Sequence, residues 1–427
     1  MIEQLYQCFL KSSGVSTDTR TIQKDNIWFA LKGPNFNANK FADQAIDKGA
    51  SYVVIDDASY QKDHRYYLVD DALRALQQMA THHRQQFDIP FLGITGSNGK
   101  TTTKELVRDV LARKFRVHAT KGNLNNHIGV PLTLLEIKEG VEFAVIEMGA
   151  NKQKDIKELC KIAQPDFGLI TNIGKAHLEG FGGLEGVFKG KTEMYEYLAH
   201  VDDAAVFVNT VNKRLLEKAE RLIREVITFY APLDNFHAEA KSTQPKLVMH
   251  AEGIDFESSL SGPYNFENIC SALCIGKHFG VPLDEGVKAI EAYVPDNNRS
   301  ELIEKGTNTI LLDAYNANPT SMSLSLENFA GQKAETRIAI LGDMLELGED
   351  TELEHQAIGA LTQKLGLDQV HFVGPLMRFA AKMNANAFYW PTKTDLENHL
   401  KGNPIRNAQI MIKGSRGISL ETILDLL

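Results

Sequence analysis

A chain of 427 residues with 46 Lys and Arg against 55 Asp and Glu carries a formal charge of −9. At about 100–200 residues per domain this predicts two to four domains, each able to bury a core without covalent staples. The acidic balance leaves no basic stripe for nucleic acid, no apolar run nears the roughly 18 residues of a membrane span, and no basic n-region precedes an apolar leader.

The cysteines, four in all, are too few for a disulfide framework. Cys270 and Cys274 stand at helical i,i+4 spacing without a second Cys/His pair to complete a zinc site, so they read as buried reduced thiols. The expectation is a cytoplasmic, multidomain protein that works as a monomer.

In chain order, residues 1–88 alternate short apolar stretches (27–31, 52–55, 66–69) with turn-rich links and end in a helical pattern through Leu73, Leu76 and Met79. This is a small mixed α/β unit. After Pro90 the rhythm becomes strand–loop–helix. The segment 91–95 reads as a buried strand and 102–115 as a helix with Leu106, Val107, Val110 and Leu111 on one face. Segment 143–147 is a second strand, Ile156, Leu159, Cys160 and Ala163 mark an amphipathic helix, and 167–174 is a third strand. Alternation of this kind implies a doubly wound, mostly parallel sheet over 89–299. The aperiodic stretch VPDNNRS (294–300) reads as a linker. Beyond it, strands at 309–315, 337–343, 369–374 and 408–415 alternate with helices, predicting a Rossmann-like domain over 300–427.

The polar residues suited to chemistry follow the C-terminal ends of these strands, where open α/β sheets bind ligands. ITGSNGKTTT (94–103) lies between a strand and a helix, the setting a phosphate loop requires. Gly96 and Gly99 let backbone N–H groups converge on phosphate oxygens. Lys100 reaches the terminal phosphates and Thr101 can ligate Mg²⁺. Ile94 stands where the strict G-x-x-x-x-G-K-[ST] pattern has glycine. Glu147 ends a buried strand, His177 and Glu179 sit in a glycine-rich loop, and Lys191 falls on a helix. Taken singly, these three features read as solvated strand-end, loop and helix-surface groups.

Together with TKGNLNNHIGVPLT (120–133), IEMGA (146–150), NIGKAHLEGFG (172–182), GPYNFENICSAL (262–273), DAYNANPTSM (313–322) and LGDMLELGEDTELEH (341–355), the loop resembles the ATP-dependent Mur ligases of peptidoglycan synthesis. VSTDTRTIQKDNIWFALKGPNFNANKFADQA (15–45) resembles their uridine-nucleotide domain. The family's shorter T-G-x-x-G-K-[ST] loop accounts for Ile94.

The resemblance implies ATP and Mg²⁺, two ions in number, as cofactors. It implies that Gly96, Ser97, Asn98, Gly99, Lys100, Thr101 and Thr102 cradle ATP. Glu147 and His177 would join Thr101 on Mg²⁺, and Lys191 matches a lysine often carbamylated in the family. Asn265, Asn268, Arg299, Asn316 and Asn318 would complete the nucleotide site. Thr19, Arg20 and Asn126 fall on the muramyl-substrate side. The chain departs from the family at Tyr264, where H-N-x-x-N has histidine, and at Asn37, Ala38 and Asn39, which replace a D-A-H-like stretch.

The implied reaction joins D-alanyl-D-alanine to a UDP-N-acetylmuramoyl-tripeptide through an acyl phosphate. The alternatives are a third-residue-adding Mur ligase, a folylpolyglutamate-synthetase-like ligase and a P-loop switch. DAYNANP in place of D-Y-A-H-x-P, the presence of residues 1–88, and the lack of a guanine-reading N-K-x-D count against them in turn. Acceptor choice is expected on the C-terminal rim of Asp343–Leu347 and Lys413–Arg416. There Gly342 and Gly414 would permit close approach, and Lys413 or Arg416 could pair the acceptor carboxylate.

Overall fold

The computed structural model describes residues 2–243, 246–295 and 299–427. Three of the residues in the expected linker, 296–298, lie outside the described residues.

The N-terminal unit holds a parallel sheet in the order Val15–Ser16, Ile27–Phe29, Tyr52–Ile55, Tyr66–Leu68. The period of two sorts its side chains. Ile27, Phe29 and Val54 meet Leu5, Tyr6 and Phe9 of the first helix, whereas Trp28, Val53 and Ile55 meet Ala38, Ala42 and Ala45 on the other face. Helix Ala72–Arg84 is wider in reach than its pattern suggested. It buries Leu76, Met79 and Ala80 and packs also on helices Gly129–Leu135 and Asp155–Ala163 of the next domain. His83 joins the two units, with Nδ1 on the Tyr6 hydroxyl and Nε2 on the Ile137 carbonyl, both at 2.9 Å.

The central sheet runs, edge to edge, Ile254–Ser258, Leu247–Ala251, Phe236–Ser242, Glu225–Tyr230, Ala205–Asn209, Phe167–Ile170, Phe91–Thr95, Phe143–Glu147, Val117–Ala119. From Phe236–Ser242 to Val117–Ala119 the neighbours are parallel, and the first three strands form an antiparallel meander. Sequence reading passed over the meander because its strands alternate buried and exposed residues and offer no chemistry-bearing end. Strand Phe91–Thr95 is buried throughout. The chain leaves it for the far edge, returns beside it at Phe143–Glu147, then crosses to its other side at Phe167–Ile170. That reversal is a switch point, which opens a crevice at the strand ends.

The C-terminal sheet has the order Glu301–Lys305, Asn308–Asp313, Gln409–Lys413, Arg337–Gly342, Gln369–Val373, Phe388–Trp390, parallel except at its first pair. The fold expectation holds in all three units. No helix among the described residues is long and apolar enough to cross a membrane. Cys270 and Cys274 are buried and free, as read from the sequence, and so is Cys160.

Candidate active site

The C-terminal ends of the central and C-terminal sheets face each other across a cavity of about 1140 Å³. Its walls carry Ser97–Thr102, Asn126, Glu147, His177, Asn265, Asn268, Arg299, Asn316, Asn318, Lys413 and Arg416. Most residues read from the sequence as site candidates therefore come together.

The phosphate loop is held by its neighbours. Gly96 (φ 145°) and Gly99 (φ 79°) occupy backbone regions that disfavour a Cβ. A Cβ at Gly96 would stand 2.0 Å from Thr171 Oγ1, and one at Gly99 would stand 2.5 Å from Asn268 Oδ1. The amides of Ser97 and Asn98 donate to the carbonyl and side chain of Asn172, both at 3.0 Å. Thr171 Oγ1 donates to the Asn98 carbonyl at 2.6 Å. Lys100 Nζ lies along the loop, 2.7 Å from the Gly96 carbonyl. Burial pulls its ammonium down to about 8, against the opposing pull of Glu147.

Glu147, 1% exposed, ends its strand among polar neighbours. Its Oε1 accepts from Asn125 Nδ2 at 2.7 Å and Thr101 Oγ1 at 3.2 Å, while Oε2 is buried without a hydrogen bond. Lys104, 2% exposed, stands 3.8 Å from Oε2. Sequence reading missed Asn125 and Lys104. The one signal for Lys104 was its i+4 spacing from Lys100, which puts both on the helix turn facing the strand end.

Lys191 corrects the solvated-helix reading. Its helix, Leu184–Leu198, turns it inward until 1% of it is exposed. Nζ donates to the Ala150 carbonyl at 3.3 Å, and burial, helped by nearby Lys100, holds the ammonium far below its ordinary value.

The C-terminal domain reaches the loop directly. Asn318 Nδ2 donates to Asn98 Oδ1 at 2.7 Å, while its Oδ1 caps helix Pro319–Ala330 through the Ser321 amide. The Lys175 amide donates to Thr320 Oγ1 at 3.0 Å, and His177 Nδ1 lies against the Glu346 carboxylate. Tyr315, also missed, carries the Arg299 guanidinium 3.7 Å and the Arg416 guanidinium 5.1 Å from its ring centre. Asn265 and Asn268 are buried and hydrogen-bonded to each other at 3.1 Å. Asn316 turns its Oδ1 back on the Ala317 amide.

The structure overturns part of the expected acceptor rim. Asp343 is 1% exposed, lies outside the cavity wall and accepts from the amides of Leu376 and Met377 at 3.0 and 2.9 Å, an anchor for that loop. Lys413 does line the cavity but is 2% exposed, its ammonium bound to Asp313. Gly342 and Gly414 let two strand ends approach, since a Cβ on Gly414 would meet Gly342 Cα at 3.1 Å. Arg416 keeps its place on the wall. Thr19 and Arg20 lie in the N-terminal unit, away from the cavity. The Thr19 carbonyl accepts from Lys48, and exposed Arg20 grips Asp18. Asn39 is fully buried in bonds to Asn37 and Asp56.

A phosphate loop on one α/β domain, bonded through Asn98 to a second α/β domain across a shared cavity, defines a P-loop enzyme that works between two domains. Comparison with known proteins makes this specific. Residues 94–276 match the Mur ligase middle domain, and 298–416 match the domain described as Mur ligase, glutamate ligase domain. The UDP-N-acetylmuramoyl-tripeptide–D-alanyl-D-alanine ligase of Bacillus subtilis (strain 168) is 34% identical, over 96% of this chain and 92% of that protein. A crystal structure of MurF from Acinetobacter baumannii superposes with a TM-score of 0.89 at 28% identity, covering 100% and 98% of the two chains. The MurF ligase of Thermotoga maritima in complex with ADP gives 0.87 at 25% identity, over 98% and 97%. The chain belongs to the Mur ligase family.

Proposed function

We propose that this chain is an ATP-dependent amide ligase that joins D-alanyl-D-alanine to the terminal carboxylate of UDP-N-acetylmuramoyl-tripeptide, releasing ADP and phosphate. The observation that carries the reading is the cavity where Lys100 and the phosphate loop meet the C-terminal domain through Asn98 and Asn318. The names of the full-length relatives supply the substrates. ATP and a nucleotide-linked substrate suit a cytoplasmic enzyme, and we take it to act as a monomer.

The chemistry fits these groups. A carboxylate is a poor electrophile because oxide would have to leave. Phosphorylation by ATP makes an acyl phosphate, and the dipeptide amine then attacks its carbonyl and expels phosphate. Anions converge in the first step, so Lys100 and the loop amides must offset their repulsion. An acyl phosphate is lost to water, which favours reaction in a cavity that two domains close.

The donor set fits Mg²⁺, although no cluster of three or more His, Cys, Asp or Glu that could hold a metal occurs among the described residues. Magnesium keeps several waters and phosphate oxygens, and needs few protein ligands. Glu147 Oε2, buried without a hydrogen bond and 3.8 Å from Lys104, is an oxygen left over for it. Glu147, Thr101 and His177 would hold the ion, which when bound neutralises charge on the transferring phosphoryl group. Lys191 supports a carbamate, because only a neutral amine adds to carbon dioxide and burial favours that form. We assign residues 1–88 to the uridine-diphosphate end, 89–299 to ATP and 300–427 to the acceptor and closure. Thr19, Arg20 and Asn126 are assigned to the muramyl substrate and Arg416 to the acceptor carboxylate.

Phosphate release against a matrix of UDP-muramyl peptides and acceptors tests the reading. Turnover is expected only with a tripeptide and D-alanyl-D-alanine together. Turnover with a single amino acid as acceptor would assign a different family member.

A further inference from the structure

The loop that carries His177 is gripped by the C-terminal domain in a specific way. His177 Nδ1 contacts the Glu346 carboxylate, and the Glu179 amide donates to the Glu346 carbonyl at 3.3 Å. Both members of the pair hold left-handed backbone, φ 52° at His177 and 61° at Glu346. Residues with a Cβ adopt that region at a cost, and such outliers gather where side chains must be aimed. Here they turn an imidazole and a carboxylate toward each other across a domain boundary. Both residues line the phosphate cavity. Nδ1 is buried and has the Glu346 carboxylate as its near neighbour without a formed hydrogen bond, and among the described residues no hydrogen bond engages the other ring nitrogen, Nε2.

An imidazole that binds a dication through one nitrogen ordinarily donates its other N–H to a carboxylate, which fixes the tautomer and the ring plane. We propose that Glu346 is a positioning residue: docking of the C-terminal domain brings its carboxylate to His177 Nδ1–H and so orders Nε2 as a metal donor. This rests on the reading of His177 as a metal contact. It goes further, because metal retention and domain closure then become one linked equilibrium. A site assembled this way holds its dication well only after the domain that encloses the acyl phosphate has arrived.

A plain latch is the competing role, and the structure supplies its control. Lys175 Nζ meets Glu354 Oε1 at 2.5 Å across the same boundary without touching His177. Both bridges cross the boundary, but Lys175 is half exposed and its bridge adds little to closure, whereas the Glu346 bridge also addresses the ring.

The test titrates manganese(II) into the full-length protein with a non-hydrolysable ATP analogue, followed by electron spin resonance. Parent, Glu346→Gln, Glu354→Gln, His177→Ala and the His177→Ala/Glu346→Gln double variant are compared. The Glu346 side chain is half exposed, so glutamine is accommodated without refolding the loop. Glu346→Gln is expected to weaken manganese roughly 10- to 100-fold, the range for loss of a carboxylate behind a metal histidine. It should also remove the histidine nitrogen signature from the manganese spectrum. Glu354→Gln should remain within about threefold of the parent, and Glu346→Gln should add nothing once His177 is alanine. Manganese binding in Glu346→Gln within threefold of the parent, with His177→Ala weakened, overturns the positioning role and leaves the His177 reading standing. Equal weakening by Glu346→Gln and Glu354→Gln overturns it in favour of a latch. Unchanged binding in His177→Ala overturns both.

Discussion

Replacing Gly99 by alanine tests whether the phosphate loop depends on the helix behind it. The backbone at Gly99 has φ 79°, and an L-residue there costs about 1–2 kcal/mol. The new Cβ would stand 2.5 Å from Asn268 Oδ1. Asn268 cannot swing away freely, because Oδ1 accepts from Thr103 Oγ1 and Nδ2 donates to Asn265 Oδ1, each at 3.1 Å. Breaking both bonds adds about 0.5–1.5 kcal/mol apiece. The sum is about 2–5 kcal/mol, or at least roughly 30-fold in the ATP dissociation constant. Isothermal titration of ATP into Gly99→Ala measures it, with the melting temperature as a check on folding. Adding Asn268→Ala removes the collision but not the backbone cost, so the double variant should bind ATP better than the two single losses predict. Binding within threefold of the parent in Gly99→Ala, or strict additivity in the double variant, would refute the reasoning.

Asn318→Ser keeps the helix cap but drops the bond to Asn98. It should raise KM for ATP roughly fivefold, about 1 kcal/mol, without lowering the melting temperature. Lys191→Arg should be inactive because arginine stays charged and cannot form a carbamate, whereas Lys191→Ala should regain partial activity with acetate. A carbamate resonance after labelling with carbon-13 bicarbonate checks the modification directly, and a fully active Lys191→Arg excludes it. His371 supplies the pH test. Burial holds its imidazole down to about 4, and its Nδ1 accepts from Trp390 Nε1 at 3.1 Å. The unfolded chain therefore binds the extra proton first. Stability is full above about pH 6.5 and falls as pH drops toward 4, by about 3 kcal/mol in total. Denaturation at several pH values should show that slope in the parent and a flatter one in His371→Phe.

How much of this was legible in the sequence depended on whether the signal was local. Strands 91–95 and 143–147 were read with the bounds the structure gives, since continuous apolar runs between turns leave little choice. The phosphate loop was legible because its glycines, Lys100 and the following helix are adjacent in the chain. Lys191 was misread because helical periodicity names a face but not the neighbours that cover it. Asp343 was placed on the rim, and Lys413 left free to pair a substrate, for a similar reason. Asp343 follows a strand and Lys413 ends one, yet Asp343 is taken by the amides of Leu376 and Met377, and Lys413 by Asp313, 100 positions away in sequence. Asn125, Lys104 and Tyr315 act through partners that only the folded chain brings near. The helix at 72–84 shows the same limit in the core, because its apolar face was evident but not that two domains share it.

The central claim is that the tripeptide carboxylate is activated by phosphorylation in this cavity. It is tested most directly by following oxygen-18 from the terminal carboxylate of labelled UDP-N-acetylmuramoyl-tripeptide during turnover with ATP and D-alanyl-D-alanine. An acyl phosphate predicts one labelled oxygen in each phosphate released, and none from Lys100→Ala. Phosphate released without label, while the amide product forms, would contradict it.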